Sequence, residues 1–399
     1  MSLNSRRIGI AALLLLACTK PTPPTPTPAV PSASAPGAPI GTAPVAIAAT
    51  TPASAPSTCT ASPPITLEAN TPNASAPISV ALTADAVWVL HMGRTGVDRS
   101  SPILLEVHDF ETGTPRLAEH ALPPGSIGSS SALAVSQTGI VVGTFVGTKG
   151  VNFFSVPKSD PNVYTVPAGD ITSGGSIAVV GAKALTAFGQ DDDGVHTAYF
   201  DIATGARQGV EKISGKVQQA TVAGAFGGLT VFSDFTSSPG VLRARGASGA
   251  PFALPAVGTD NGTSAAASGV GDRAYVLYNV IGPRTPGAMF PQNTLKLATL
   301  TDASGNGTTV ELGHAGMVPE NAVQAAAWGA VGAFIDATNA VMAVAVDRGG
   351  KLTVVPMRVT PPGERARRPA VAVAGMEAVV VWNQAGAAPA LRMSVMRCR

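Results

Sequence analysis

Seven times from residue 79 onward the chain repeats one pattern: a run of small residues, a turn with Gly, then a hydrophobic run. The copies are SVALTADAVWVL at 79, ALAVSQTGIVVGTF at 132, IAVVGAKALTAF at 177, ATVAGAFGGLTVF at 220, AAASGVGDRAYVLY at 265, AAAWGAVGAFID at 325 and VAVAGMEAVVVW at 371. Their fifth position is Gly181, Gly224, Gly269, Gly329 or Gly375 in five copies, with Thr83 and Ser136 in the other two. Successive copies start 53, 45, 43, 45, 60 and 46 residues apart. Each copy reads as two strands around a tight turn. A third strand follows in several of them (ILLEVHDF at 103, HTAYFDI at 196, LKLATL at 295, VMAVAV at 341), often ending in a Gly turn toward a fourth.

Periods of this length with several strands per unit predict an all-β β-propeller, expected as seven four-stranded blades closed by an N-terminal strand. Six or eight blades remain as alternatives, because the copies at 132 and 220 rest on pattern alone. Aromatics make up only 5% of the chain, so the core must be built from Ala and β-branched side chains in many short elements. The first strands are rich in Ala, Ser and Gly, as strands crowded around a central axis should be. The second strands are apolar on both faces, as strands between neighbouring blades should be. Trp88 and Trp382 occupy equivalent second-strand positions in this reading, and Trp328 falls on an inner strand.

The last copy leaves room for three strands only. Residues 65–69, Ile-Thr-Leu-Glu-Ala, are placed to pair beside the terminal strand LRMSVMRC and remove its free edge. An antiparallel strand there would bring Cys59 to Cys398, which predicts a disulfide suited to an oxidising compartment.

The N-terminus is an address. Arg6 and Arg7 form a positive segment, Ile8 to Leu16 an apolar run too short to span a bilayer, and small Ala17 precedes Cys18. Leu15-Leu16-Ala17-Cys18 resembles the bacterial lipobox. That resemblance implies lipidation of Cys18, removal of residues 1–17, and an anchor in the cell envelope. Thr19 after the Cys favours the outer membrane, on its periplasmic or its exposed side. Ser5-Arg6-Arg7 also resembles the start of a twin-arginine signal, but Gly9 stands where a Phe is usual. Residues 18–58 are a Pro/Thr/Ala/Ser tract without apolar periodicity, expected to stay unfolded as a linker, and residues 59–399 form the propeller domain. Arg6 and Arg7 account for the whole formal charge of +2, so the remaining chain is neutral and has no overall attraction for nucleic acid.

No catalytic or metal motif emerges, and no cofactor is expected. The five histidines (His91, His108, His120, His196, His314) sit with no spacing that puts two on one face, which argues against zinc. Asp191, Asp192 and Asp193 beside Gly194 are a weak Ca²⁺ candidate. They lack the alternate spacing that points carboxylates inward, and read as a solvated hairpin tip. Ser176, in an outline like a nucleophile elbow, precedes a strand where that chemistry needs a helix. Two long connections stand out, residues 91–102 and 279–293, and Arg94, Asp98, Arg99, Arg284, Phe290 and Gln292 are the candidate contact residues on them. Arg365, Arg367, Arg368, Arg392, Arg397 and Arg399 make the final repeat basic, opposed within it by Glu364 and Glu377.

The repeats resemble β-propeller repeats in architecture only; the signatures of WD40, kelch and sialidase-type repeats do not recur. The expectation is a monomeric, lipid-anchored, non-catalytic module that binds a protein or an envelope polymer. The alternative is a hydrolase or lyase acting on envelope or extracellular glycans, with its site at the channel mouth. Two carboxylates and an Arg converging at that mouth would favour the enzyme.

Overall fold

The computed structural model describes residues 54–69, 77–92, 103–121, 130–136, 139–146, 150–157, 164–166, 175–190, 194–214, 217–234, 241–247, 249–254, 262–282, 292–316 and 320–399. Among the described residues the chain is all β, with one short 3-10 turn at Ala225–Gly227. Every repeat copy supplies the first two strands of one antiparallel sheet. The first strands are Ser79–Leu82, Ser130–Val135, Gly175–Val180, Val217–Ala223, Gly262–Val270, Asn321–Ala326 and Arg365–Ala374. Their hairpin partners are Ala86–Met92, Gly139–Val146, Lys183–Gln190, Leu229–Asp234, Arg273–Ile281, Gly329–Ile335 and Glu377–Ala385. Each first strand lies beside the first strands of the sheets before and after it, and that of the last sheet lies beside that of the first. The result is a β-propeller.

Among the described residues, six sheets have four strands, and the sheet that closes the ring has five. In this detail the structure departs from the expectation of four-stranded blades throughout. Ile65–Ala69 pairs antiparallel with Ala390–Cys398, and a second short strand, Cys59–Ala61, pairs with the same partner. The break between them falls at Pro63 and Pro64, which have no N–H to continue a ladder. Ser62 bridges the gap: its N–H donates to Val395 O at 2.7 Å, its Oγ accepts from Val395 N at 3.0 Å, and its carbonyl accepts from Ser394 Oγ at 2.8 Å. Cys59 lies directly opposite Cys398 in this register, and the two are joined by a disulfide across a sequence separation of 339. The folded part begins ahead of Cys59, because Ala55 packs on the core and the amides of Ser57 and Thr58 donate to Arg399 O at 2.7 and 3.2 Å.

Among the described residues, a buried apolar cluster fills each joint between adjacent sheets. The joint between first and closing sheets holds Val87, Val89, Val379, Val381 and Met393; the joint between sixth and closing sheets holds Trp328, Val331, Val380 and Trp382. This layout corrects the reading of the tryptophans. Trp88 is the third residue of its strand and faces the second sheet, whereas Trp382 is the sixth of its own and faces the sheet before it. Side chains alternate along a strand, so an odd and an even offset put them on opposite faces. Trp328 sits in the turn after Asn321–Ala326 rather than on that strand, and its indole N–H donates to Gly375 O of the closing sheet at 2.8 Å.

The small polar residues of the first strands have a structural task. Each first strand has one edge paired in its hairpin and one edge toward its neighbours, where amides lack a ladder partner. Hydroxyls of the preceding sheet meet that need: Ser79 Oγ accepts from Leu133 N, Ser176 Oγ from Val222 N, Thr221 Oγ1 from Ala267 N and Ser268 Oγ from Ala325 N, at 2.8–3.3 Å. The repeat glycines do not share one structural position. Gly375 turns a hairpin at φ +62°, whereas a Cβ on Gly224 would stand 2.4 Å from Val179 O of the neighbouring strand. One is kept for conformation and the other for close approach.

Candidate functional site: the central channel and the first sheet

The seven first strands enclose a central channel with a cavity of ≈ 500 Å³ toward the hairpin end. Ala, Val, Ile, Leu and Gly form most of its wall, with Ser136, Ser268 and Gln324 as polar members, and Val135 and Val270 stand exposed at this mouth. The opposite mouth adds Ser79, Ser176, Thr221 and Asn321. Among the described residues lining either cavity, none has an ionisable side chain. Ser176 belongs to this wall, engaged with Val222 N and Thr221 Oγ1.

The two long connections leave from strand ends on the second of these faces. Leu90 pairs with Ser79 and Val280 with Gly262, so Met92 and Ile281 end where the first strands begin. Gln292 is described: it is exposed, and its carbonyl accepts from Gly282 N at 3.0 Å. Arg94, Asp98, Arg99, Arg284 and Phe290 lie outside the described residues, as do Cys18 and Asp191, Asp192 and Asp193.

The basic stretch of the closing sheet draws acidic partners from neighbouring sheets, which its own sequence does not reveal. Arg397 pairs with Glu111 of the first sheet and, at 3.6 Å, with Glu377. Arg367 and Arg368 flank the buried Glu320 at 3.8 and 3.5 Å, and Glu320 also accepts from Arg368 N at 2.6 Å. Arg392 lies 4.0 Å from Glu364, whose other oxygen accepts from the Trp382 indole at 2.7 Å.

One group of ionisable residues stands away from the channel, and here the expectation that no two histidines share a face is overturned. In the first sheet Val87 pairs with His108, Val89 with Glu106 and His91 with Leu104, so His91, Glu106 and His108 share the face that Val87 and Val89 turn toward the closing sheet. His91 and His108 are 3% and 2% exposed. His108 Nε2 donates to Glu106 Oε2 at 2.8 Å, and its Nδ1 lies 3.1 Å from Gly113 O. His91 Nε2 lies 3.5 Å from Glu106 Oε1, and its Nδ1 lies 3.9 Å from Glu68 Oε2 of the N-terminal strand. Burial pushes the Glu106 carboxyl up, but the hydrogen bond from His108 and the neighbouring His91 imidazole outweigh it and hold it at about 2. Burial pushes His91 down, and the Glu106 and Glu68 carboxylates reverse that to a net rise. Among the described residues, Glu68, His91 and Glu106 are the set of His, Cys, Asp and Glu that could share a metal ion, with donor atoms all within 4.8 Å of one another. The sequence signal was Glu106-x-His108, two ionisable residues on one face of a third strand that is apolar elsewhere up to its last residue, Asp109.

No family model matches the chain, and no curated protein matches it in sequence. Solved structures similar to it include the polysaccharide lyase Uly1, at 10% identity and a TM-score of 0.47, covering 80% of this chain and 89% of that one. A protein of unknown function from Dyadobacter fermentans is similar at 10% identity and a TM-score of 0.47, covering 86% and 99%. The β-propeller domain of the Trilobed protease from Pyrococcus furiosus is similar at 10% identity and a TM-score of 0.45, covering 78% and 92%. These likenesses concern the path of the chain and transfer no activity to it.

Proposed function

We propose that this protein is a lipid-anchored, non-catalytic binding module of the bacterial cell envelope, a rigid seven-bladed disc held on the outer membrane through Cys18 and docking a protein or envelope polymer on the face that carries its long connections. The observation that carries the reading is the channel wall. An enzyme at the mouth of a propeller needs converging acids, bases or cations to move protons and steady charge. The described lining offers apolar surface, hydroxyls and amides. Such a wall can hold a partner by contact and hydrogen bonding. The anchoring part of the reading rests on Arg6, Arg7, the apolar run Ile8 to Leu16, and Ala17-Cys18.

Crosslinking in whole cells with the tether intact, followed by pull-down, tests this. A specific partner should be recovered with the native chain. Its yield should fall at least tenfold when residues 94–99 and 284–292 are replaced by Gly/Ser segments of equal length. Recovery of no partner, or equal recovery with the replaced loops, contradicts the proposal.

A further inference from the structure

The geometry points to a binding site for a first-row divalent cation of the Zn²⁺ or Mn²⁺ class, formed by Glu68, His91 and Glu106 at the joint between the first sheet and the N-terminal strand. Four observations carry it. The first is an orphan: His91 Nε2 is buried and makes no hydrogen bond, with Glu106 Oε1 standing 3.5 Å away. Two donors about 2.1 Å from one tetrahedral ion are about 3.4 Å apart, so the spacing of Nε2 and Oε1 suits a shared cation, and Glu68, 3.9 Å from Nδ1 on the other side of the ring, would swing its carboxylate to join them.

The second is a β-bulge. Ile65 pairs with Met393 and Thr66 with Arg392, but Glu68, not Leu67, pairs with Leu391. Simple alternation from inward-facing Ile65 would turn Glu68 out. The extra residue lets both Leu67 and Glu68 face the first sheet, and bulges commonly re-aim side chains in this way beside functional sites.

The third is the outer support of Glu106. Its second oxygen is held by His108, which itself leans on Gly113 O. Carboxylate ligands of metal ions are oriented by hydrogen bonds of this kind. The fourth is access. The Glu68 side chain is 29% exposed while those of His91 and Glu106 are 4% and 10% exposed, so an ion has an approach from one side and a low-dielectric wall on the other. Two carboxylates and one imidazole balance a dication and favour Zn²⁺ or Mn²⁺ over Ca²⁺ and Mg²⁺, which prefer oxygen alone. Because Glu68 belongs to the strand that completes the closing sheet, a bound ion would pin that strand to the first sheet.

The test uses the full chain carrying Cys18→Ser, so that no free thiol competes, stripped with chelator and titrated calorimetrically with Zn²⁺ alone and Mn²⁺ alone. One equivalent should bind, and binding should raise Tm in a manner that EDTA reverses. His91→Gln and Glu106→Gln should abolish it. His108→Gln should weaken it about 10- to 100-fold, the usual effect of removing an outer partner. His314→Gln, at an exposed position, should leave it unchanged. Should the buried variants not fold, Glu68→Gln at the open side gives the same loss, and Co²⁺ reports directly through visible absorption bands of an N/O-ligated site. No heat and no Co²⁺ bands with the unsubstituted site, or binding that survives both Glu68→Gln and Glu106→Gln, overturns the proposal.

Discussion

Replacing Trp382 with Ala should destabilise the propeller by about 3–5 kcal/mol, the range for removing a large aromatic side chain from a closed core. Trp382 is fully buried in the joint between sixth and closing sheets, against Val331 and Val380. Most of its neighbours there are Val and Ala, several of them, such as Val331, Ala343 and Val380, on strands paired at both edges, so little can move to refill the space. The cost has a second part. Glu364 Oε1, at 2.7 Å from the indole N–H, loses its donor in a nearly buried position. Trp382→Phe separates the two, since it keeps most of the apolar volume and loses the hydrogen bond; its cost should be near 1–3 kcal/mol. Urea denaturation of both variants measures this. A Trp382→Ala variant within 1 kcal/mol of the native chain would mean that this joint is not closed as described.

The second large effect is the loss of the disulfide. Cys59→Ser, Cys398→Ser or chemical reduction should each lower stability by about 2–5 kcal/mol, the upper end being the ceiling that loop entropy sets for a bridge spanning most of a chain. The native strand pairing should survive, because the ladders at Cys59–Ala61 and Ile65–Ala69 and the bonds of Ser62 do not depend on the sulfurs. The effect should therefore be seen in the unfolding equilibrium and in fraying of the terminal strand by hydrogen exchange. Equal stability of oxidised and reduced protein would show that the noncovalent clasp carries the closure alone.

What could be read from the sequence was local. A first strand, a tight turn and a second strand form a hairpin whose pairing is fixed by the turn, so SVALTADAVWVL or VAVAGMEAVVVW declares two strands without further information. Closure by Ile65–Ala69 was legible because the last repeat lacks a strand and because two cysteines remained to be matched. The tryptophan faces were misjudged because the copies do not share one turn length: Leu82 pairs with Val87 across four residues, and Ala374 with Glu377 across two. Gly375 lies in its turn, while Gly269 remains inside Gly262–Val270 and Gly329 opens a second strand, so strand offsets shift by a residue or more between copies.

The Glu68, His91 and Glu106 group was hidden for a different reason. The pairing of His91 with Leu104 crosses a connection of some ten residues, too long for a turn rule to set the register. Glu68 arrives on the strand that completes the closing sheet, turned inward by a bulge that alternation does not anticipate. Likewise, the acids that answer the closing sheet's arginines come from Glu111 and Glu320, on the sheets to either side. Contacts between sheets follow from ring closure, and only the closed ring shows them.

In the proposed arrangement the three cysteines divide two tasks, Cys18 carrying lipid and Cys59 with Cys398 clasping the ring. Peptide mapping by mass spectrometry, without reduction, of protein isolated from the membranes of a Gram-negative host tests it most directly. The expected result is one disulfide-linked peptide pair containing Cys59 and Cys398, together with an N-terminal peptide that starts at Cys18 and carries the added mass of a diacylglyceryl group. Free thiols at Cys59 and Cys398, or a disulfide that includes an unlipidated Cys18, would contradict it.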